Sequence, residues 1–408
     1  MPKRIVLHTP EPTSGAARYL YELARGLHGA GVDVGLVCPG NFQFSEHLRE
    51  IQGIGVFPAA PRSIETQRKF FRKVVSNLYF LVSMMKVQMR VVGPGDIIHF
   101  QYPLHYPFGT VFFLQAALQR ARIVFTVHDP IPHKWLLPKW LRWIDYAALT
   151  ISYRMSSYLI VHSEPGRRML IDTFGKPASR VVVIPHGPYR LDGEVLSRNS
   201  TDCIELLMFG SLRENKGIHL AIGAVQMLYR GGAKVHLTIA GEVLNGSERA
   251  YWDVCRALIA EAPAPISLRK GFVPDEELPE LFSQCDYVLM PYINFVSDSG
   301  VASMALANGR PMIATRTGGL GILLAQADVG FAIEEATVEG VAAAIENALA
   351  GGIETARRKG RTAAQHIDQF CGWGLISKHT AELYQVLLSG GHPALPVWQT
   401  PSASQERV

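Results

Sequence analysis

The sequence predicts an α/β protein made of two Rossmann-like parallel-sheet domains. Three observations predict it. Short apolar runs alternate with turn-rich loops and then with segments of helical periodicity, the order that builds parallel strands joined by crossover helices. The alternation breaks down over residues 187–202 and then begins again. The 408 residues suffice for two or three domains with substantial cores, at roughly 100–200 residues each.

Ile5-Val6-Leu7-His8 reads as a buried strand, followed by the turn-rich Pro10-Glu11-Pro12-Thr13-Ser14-Gly15. Leu20, Leu23, Ala24 and Leu27 then recur at helical spacing. Further strands are expected at Val32–Val37, Ile97–Phe100, Ile123–Val127, Tyr158–Val161 and Val181–Ile184. After the aperiodic linker, strands are expected at Ile204–Phe209, Val235–Ala240, Tyr287–Met290, Met312–Ala314 and Gly330–Ala332, with helices over Ala221–Leu228, Val338–Leu349 and Ile376–Leu388. The domains expected are 1–186, a linker 187–202, and 203–372. A C-terminal helix follows at 373–389, then a disordered Pro/Ser/Gln-rich tail at 390–408. Ligands in open parallel sheets bind beyond the carboxyl ends of the strands, so the site is expected there.

Composition narrows the function classes. Hydrophobic residues make up 48% and charged residues 18%, which excludes a disordered chain. The net charge of +5 is too small to point to nucleic acid, but it suits an anionic small molecule or an anionic membrane surface. Five scattered cysteines without a C-x-x-C argue against a disulfide framework or zinc knuckle and for a reducing compartment. The amino terminus runs directly into a strand, so no signal peptide is expected. No apolar run reaches the roughly 18 residues that span a bilayer. The expected location is cytoplasmic, with peripheral contact on the inner face of the cytoplasmic membrane left open.

Four segments could carry chemistry. Gly15 opens a helix after the first strand, where main-chain N–H groups can approach an anion; a tight structural turn explains it equally well. G-x-G-x-x-G is absent, which speaks against a dinucleotide fingerprint. Phe209-Gly210-Ser211-Leu212-Arg213-Glu214-Asn215-Lys216-Gly217 follows a strand and opens a helix, so Arg213 and Lys216 can face one anion. Two cations at a helix start are unfavourable unless an anion sits there. Ser297-Asp298-Ser299-Gly300 precedes another helical run. Its side chains suit ordinary N-caps, and the N–H groups of Ser299, Gly300 and Val301 suit a phosphate. His128, in Val127-His128-Asp129, ends a strand of the first domain.

Together with Ile184-Pro185-His186-Gly187, Leu237-Thr238-Ile239-Ala240-Gly241, Gly271-Phe272-Val273-Pro274 and Gly309-Arg310-Pro311, followed by Ala314-Thr315 and Gly318-Gly319-Leu320, these segments resemble glycosyltransferase family four (group 1). The resemblance spans residues 1–388. It implies the GT-B fold, two Rossmann-like domains facing across a cleft, and transfer of a sugar from a nucleotide diphosphate with retention at the anomeric carbon. It also implies that the first domain binds the acceptor and the second the nucleotide sugar. Gly15 would lie near the diphosphate and acceptor, and His128 at the reacting centre. Arg213 and Lys216 would hold the diphosphate beside Gly210, and Phe272 and Val273 would touch the base. The last helix would pack back on the first domain. Many members carry two glutamates eight residues apart; here Val296 and Met304 stand in those positions. The Ser297–Gly300 segment and the Gly210–Gly217 form instead resemble a variant subset, with Asp298 open to replacing one carboxylate contact.

The expected chemistry is metal-independent hexosyl transfer from a co-substrate, UDP- or GDP-sugar, with no resident cofactor. No Asp-x-Asp occurs in the sequence to bridge a metal to the diphosphate, and no paired carboxylates suggest a glycosidase-like nucleophile. Two segments mix aromatic residues and cations in a way that suits a lipid headgroup layer: Gln67–Arg90 and His133–Trp143. Each also fits an ordinary amphipathic helix. The acceptor expected is a lipid-linked glycan in bacterial surface polysaccharide assembly. A soluble small-molecule acceptor and a catalytically silent GT-B scaffold are the alternatives; an epimerase or phosphorylase is a more distant one.

Overall fold

Every strand read from the sequence lies in one of two parallel sheets in the computed structural model. The structure describes residues 3–13, 15–62, 70–101, 107–132, 135, 137–191, 203–243, 246–262, 264–295 and 299–390, with the backbone alone at 70–74. Most of the expected linker and all of the tail beyond residue 390 lie outside these residues, as do Val296, Ser297 and Asp298.

The first unit comprises Met1–Gly187 together with the C-terminal helix. Its elements run β1 (Ile5–His8), α1 (Gly15–Gly29), β2 (Val34–Cys38), α2 (Ser45–Arg49), β3 (Ile54–Pro58), α3 (Phe70–Val91), β4 (Ile97–Phe100), α4 (Thr110–Leu118) and β5 (Arg122–Thr126). Then come α5 (Arg142–Met155), β6 (Tyr158–Val161), α6 (Glu164–Phe174) and β7 (Val181–Val183). The strand order is β3-β2-β1-β4-β5-β6-β7, all parallel, with β1 central and Ile5 opposite both Val34 and Ile97. The core under α3, α4 and α5 is built around Phe80, Phe100, Phe112, Phe125 and Tyr153.

The second unit comprises Pro188–Gly372. It runs β8 (Ile204–Phe209), α7 (Ile218–Arg230), β9 (Val235–Gly241), α8 (Gly246–Glu261), β10 (Ile266–Lys270), α9 (Leu278–Ser283) and β11 (Tyr287–Met290). After these follow α10 (Gly300–Ala307), β12 (Met312–Thr315), α11 (Gly318–Gln326), β13 (Gly330–Ile333) and α12 (Val338–Cys371), which is broken by a kink at Gly352. The order β10-β9-β8-β11-β12-β13 repeats the logic of the first sheet. Alternate residues feed two cores: Leu206, Leu237 and Leu289 on one face, Leu207, Val288 and Met290 on the other, as the two-residue period of a strand requires. The chain closes with α13 (Trp373–Ser389) in the first unit, where the Tyr384 hydroxyl hydrogen-bonds His99.

Two strands were not expected, β3 and β10, and both are edge strands. Their residues are only partly buried, so they lack the continuous apolar run that marks an interior strand. Gly175 closes α6 in the left-handed region, and Ser299 caps α10, its Oγ accepting from the Ala302 N–H at 3.3 Å.

Candidate active site

The carboxyl edge of the second sheet is built from three glycines. Gly210, Gly241 and Gly271 end the neighbouring strands β8, β9 and β10 with φ of 111°, 155° and 120°. The Gly271 N–H donates to the Gly241 carbonyl at 2.8 Å, and the Gly210 N–H to the Ala240 carbonyl at 3.1 Å. A β-carbon on Gly241 would lie 1.7 Å from the Gly210 carbonyl oxygen, so the main chains meet where no side chain fits. A β-carbon on Gly210 would come 3.6 Å from Val301 Cγ2. This brings the loop after β8 against the first turn of α10, which carries no acidic residue. Gly210, Gly300 and Val301, far apart in sequence, thus share one edge.

The loop from Gly210 leads through Arg213 into a single tight turn, Glu214–Lys216, and then α7. Gly217 makes the junction at φ 66°, its α-carbon pressed so close to the Pro291 carbonyl that a β-carbon would sit 2.0 Å from that oxygen. This junction buries Lys216. Its Nζ donates to the Tyr292 hydroxyl at 2.5 Å and lies 3.8 Å from the centre of that ring. Burial pushes the ammonium pKa down, partly countered by Tyr292, and Arg213 lowers it further. Among the described residues Lys216 meets no carboxylate, and Arg213 Nε is buried without a hydrogen-bond partner. Two cations held this way are poised for an anion that the described residues do not supply.

Phe272 follows the β10 edge and is 74% exposed, while Val273 next to it is buried. A cavity of about 450 Å³ opens beside this edge, lined by Glu242, Val243, Arg249, Trp252, Lys270 and Gly271 among others. Met304 is on α10, half-buried against the core around Met290 and Ala302, and offers no carboxylate. Asp298 lies outside the described residues.

In the first unit Gly15 is the exposed first residue of α1, whose opening turn also lacks an acid. His128 follows β5 and joins a cluster of aromatic rings. Tyr19 stands 4.9 Å from His128, 5.4 Å from His162, 5.2 Å from His186 and 5.1 Å from Trp373, centre to centre. Burial lowers the pKa of His128 well below the usual value, helped by repulsion from His162 and His186; burial likewise takes His162 to about 3 and His186 to about 4. All three rings are therefore neutral at pH 7, and their hydrogen bonds fix their tautomers. His162 Nδ1 lies 2.9 Å from the Ile184 carbonyl, which can only accept, so His162 carries its proton on Nδ1. His162 Nε2, 3.1 Å from His128 Nδ1, must then accept from it. With its proton on Nδ1, His128 bears its lone pair on Nε2, a buried atom of the cluster.

Sequence reasoning missed Tyr292 and His162. Tyr292 lies just past β11 and His162 just past β6, the strand ends where ligands gather in such sheets, and that position was the available signal.

The comparisons agree with this architecture. The family model for Glycosyltransferase Family 4 matches residues 13–188, and that for Glycosyl transferases group 1 matches residues 197–366. A glycogen synthase of Mycobacterium tuberculosis (strain CDC 1551 / Oshkosh) is 29% identical over 415 residues, 96% of this chain and 96% of that protein. Among solved structures, a sucrose-phosphate synthase from Thermosynechococcus elongatus has a TM-score of 0.72 at 18% identity, covering 95% of this chain and 100% of that one. Anabaena Alr3699/HepE in complex with UDP-glucose has a TM-score of 0.68 at 18% identity, covering 94% and 99%. These two structures share the fold.

Proposed function

The chain belongs to glycosyltransferase family four, with the GT-B fold, and from that premise we propose that it is a metal-independent, retaining hexosyltransferase using a UDP- or GDP-sugar. The observation that carries this reading is the edge formed by Gly271, Gly241 and Gly210, ending at the first turn of α10. Adjacent strands stand roughly 4.8 Å apart, so about 10 Å separates the Gly271 end from the Gly210 end. That length suits a nucleoside, with its base at Phe272 and Val273 and its diphosphate at Arg213, Lys216 and the N–H groups of Gly300 and Val301. A solved neighbour that binds UDP-glucose is consistent with such a donor.

In this reading the departing nucleotide diphosphate gains negative charge as the glycosidic bond breaks. Arg213, Lys216 and the α10 dipole are already oriented toward it, the arrangement that lowers a barrier most. Tyr292 positions Lys216. His128 lies at the sugar or the reacting centre, and the departing phosphate takes the proton of the acceptor hydroxyl. The acceptor we propose is a lipid-linked glycan of bacterial surface polysaccharide assembly, reached from the cytoplasmic side.

A panel of UDP-, GDP-, ADP- and dTDP-sugars without added metal tests the reading by melting temperature and nucleotide diphosphate release. A ligand that binds only the native state raises the melting temperature. One strong responder that is slowly hydrolysed is the expected result; no response to any of them would overturn it. Met304 in place of a carboxylate favours a second reading, a silent scaffold, which predicts no diphosphate release from any donor.

A further inference from the structure

The outer surface of the first unit's α3, α4 and α5 is apolar where a surface helix is normally polar. On α3, Phe80, Met84, Gln88 and Val91 face the core, yet Val75, Leu78, Tyr79 and Val82 are exposed at the same helical spacing on the opposite side. The Gln115 amide of α4 donates to the Met85 carbonyl of α3 at 2.8 Å, which sets α4 alongside; there Leu114 and Leu118 are exposed, Leu118 at 85%. Thr110 of α4 hydrogen-bonds Ser152 of α5 at 3.0 Å, and at the start of α5 Trp140 and Trp143 are exposed at 75% and 67%. Three adjacent helices thus each carry exposed apolar or aromatic side chains, more than single scattered exposure explains.

The charge on this region is predominantly positive. Between Thr66 and Ser163 the sequence holds twelve Lys and Arg and three acidic residues, Asp96, Asp129 and Asp145; Asp96 and Asp145 are buried. Lys86, Arg90, Arg120, Lys139, Arg142 and Arg154 are exposed, and none of them forms an ion pair among the described residues. No helix among the described residues is long and apolar enough to cross a membrane.

We propose that the α3–α4–α5 face docks this chain on an anionic lipid bilayer, with the aliphatic and tryptophan side chains entering the headgroup–acyl boundary and the exposed cations meeting lipid phosphates. Apolar residues interleaved with cations, and tryptophans with an apolar body and a polar N–H, are the composition such an interface selects. A second copy of the chain is disfavoured as the occupant, because pairing two such faces would set cation against cation. The inference extends the lipid-linked acceptor of the reading above, and its test does not depend on turnover.

The full chain is sedimented with vesicles of phosphatidylcholine alone or of phosphatidylcholine with phosphatidylglycerol. Binding to the anionic vesicles, weakened by salt, is expected. Lys86→Gln and Arg90→Gln should each weaken it roughly fivefold, and Leu118→Ser with Trp143→Ser should abolish it while the donor-induced melting shift persists. Equal sedimentation with both vesicles, or full binding by the variants, would overturn the proposal. So would a concentration-dependent dimer that Leu118→Ser dissociates. Loss of the donor shift in the unmodified chain with vesicle binding intact would count against the transferase reading alone.

Discussion

Acidification should destabilise the first unit well before it protonates most carboxylates. Burial takes His8, His99 and His162 to about 3. Their folded pKa lies below the unfolded value of about 6.5. As the pH falls through 6.5 the unfolded chain takes up protons that the folded chain refuses, so the stability present above about pH 6.5 is lost progressively toward the folded pKa. Between about pH 7.5 and about pH 5 each such ring costs at most ~2 kcal/mol, and the three together ~6 kcal/mol. A typical domain has only about 5–15 kcal/mol to lose. His8 isolates the effect. It packs against Phe100 and Phe112, and neither ring nitrogen has a hydrogen-bond partner among the described residues. Its own main chain offsets the burial only in part. His8→Leu replaces the ring with a side chain of similar volume and removes two unsatisfied buried nitrogens, so stability at neutral pH should hold or rise. Urea unfolding at both pH values should show the variant losing ~2 kcal/mol less than the natural chain. Identical pH slopes for the two proteins, or no slope at all, would refute neutral buried histidines in this unit.

Other outcomes follow from the features of each unit taken separately. Arg213→Ala should lower turnover by more than roughly tenfold, the usual loss when one electrostatic contact to a developing charge is removed, with melting unchanged; near-normal turnover would exclude Arg213 from diphosphate binding. His162→Phe removes the acceptor that holds the His128 tautomer, so kcat should fall while donor affinity, read by melting shift, stays constant. An unaltered kcat would show that the tautomer is irrelevant. Gly217→Ala needs a left-handed backbone for a residue that disfavours it by roughly 1–2 kcal/mol, and its β-carbon would meet the Pro291 carbonyl. Calorimetry should therefore show a lower melting temperature for the second unit, and an unshifted transition would count against the junction described.

How legible each part was depended on whether its determinants are local. Ile5–His8, Ile97–Phe100, Tyr158–Val161, Ile204–Phe209 and Tyr287–Met290 could be read to the residue because strands buried on both faces must be continuously apolar. β3 and β10 escaped because most of their residues are only partly buried and the apolar pattern is diluted. Gly217 could be read as part of a loop, but not as a close approach, since the Pro291 carbonyl it meets lies in a distant segment.

The sequence by itself determined the two alternating α/β halves, the family motifs and the residue types able to meet an anion, because periodicity and turn chemistry act over a few residues. Only the tertiary structure decided that Lys216 is buried beneath Tyr292, 76 residues away, and that His162 fixes the proton of His128 across 34 residues. It also decided that three glycines from separate strands share one edge. Such pairings arise when parallel strands bring loop ends together, and no local rule records which loops will meet.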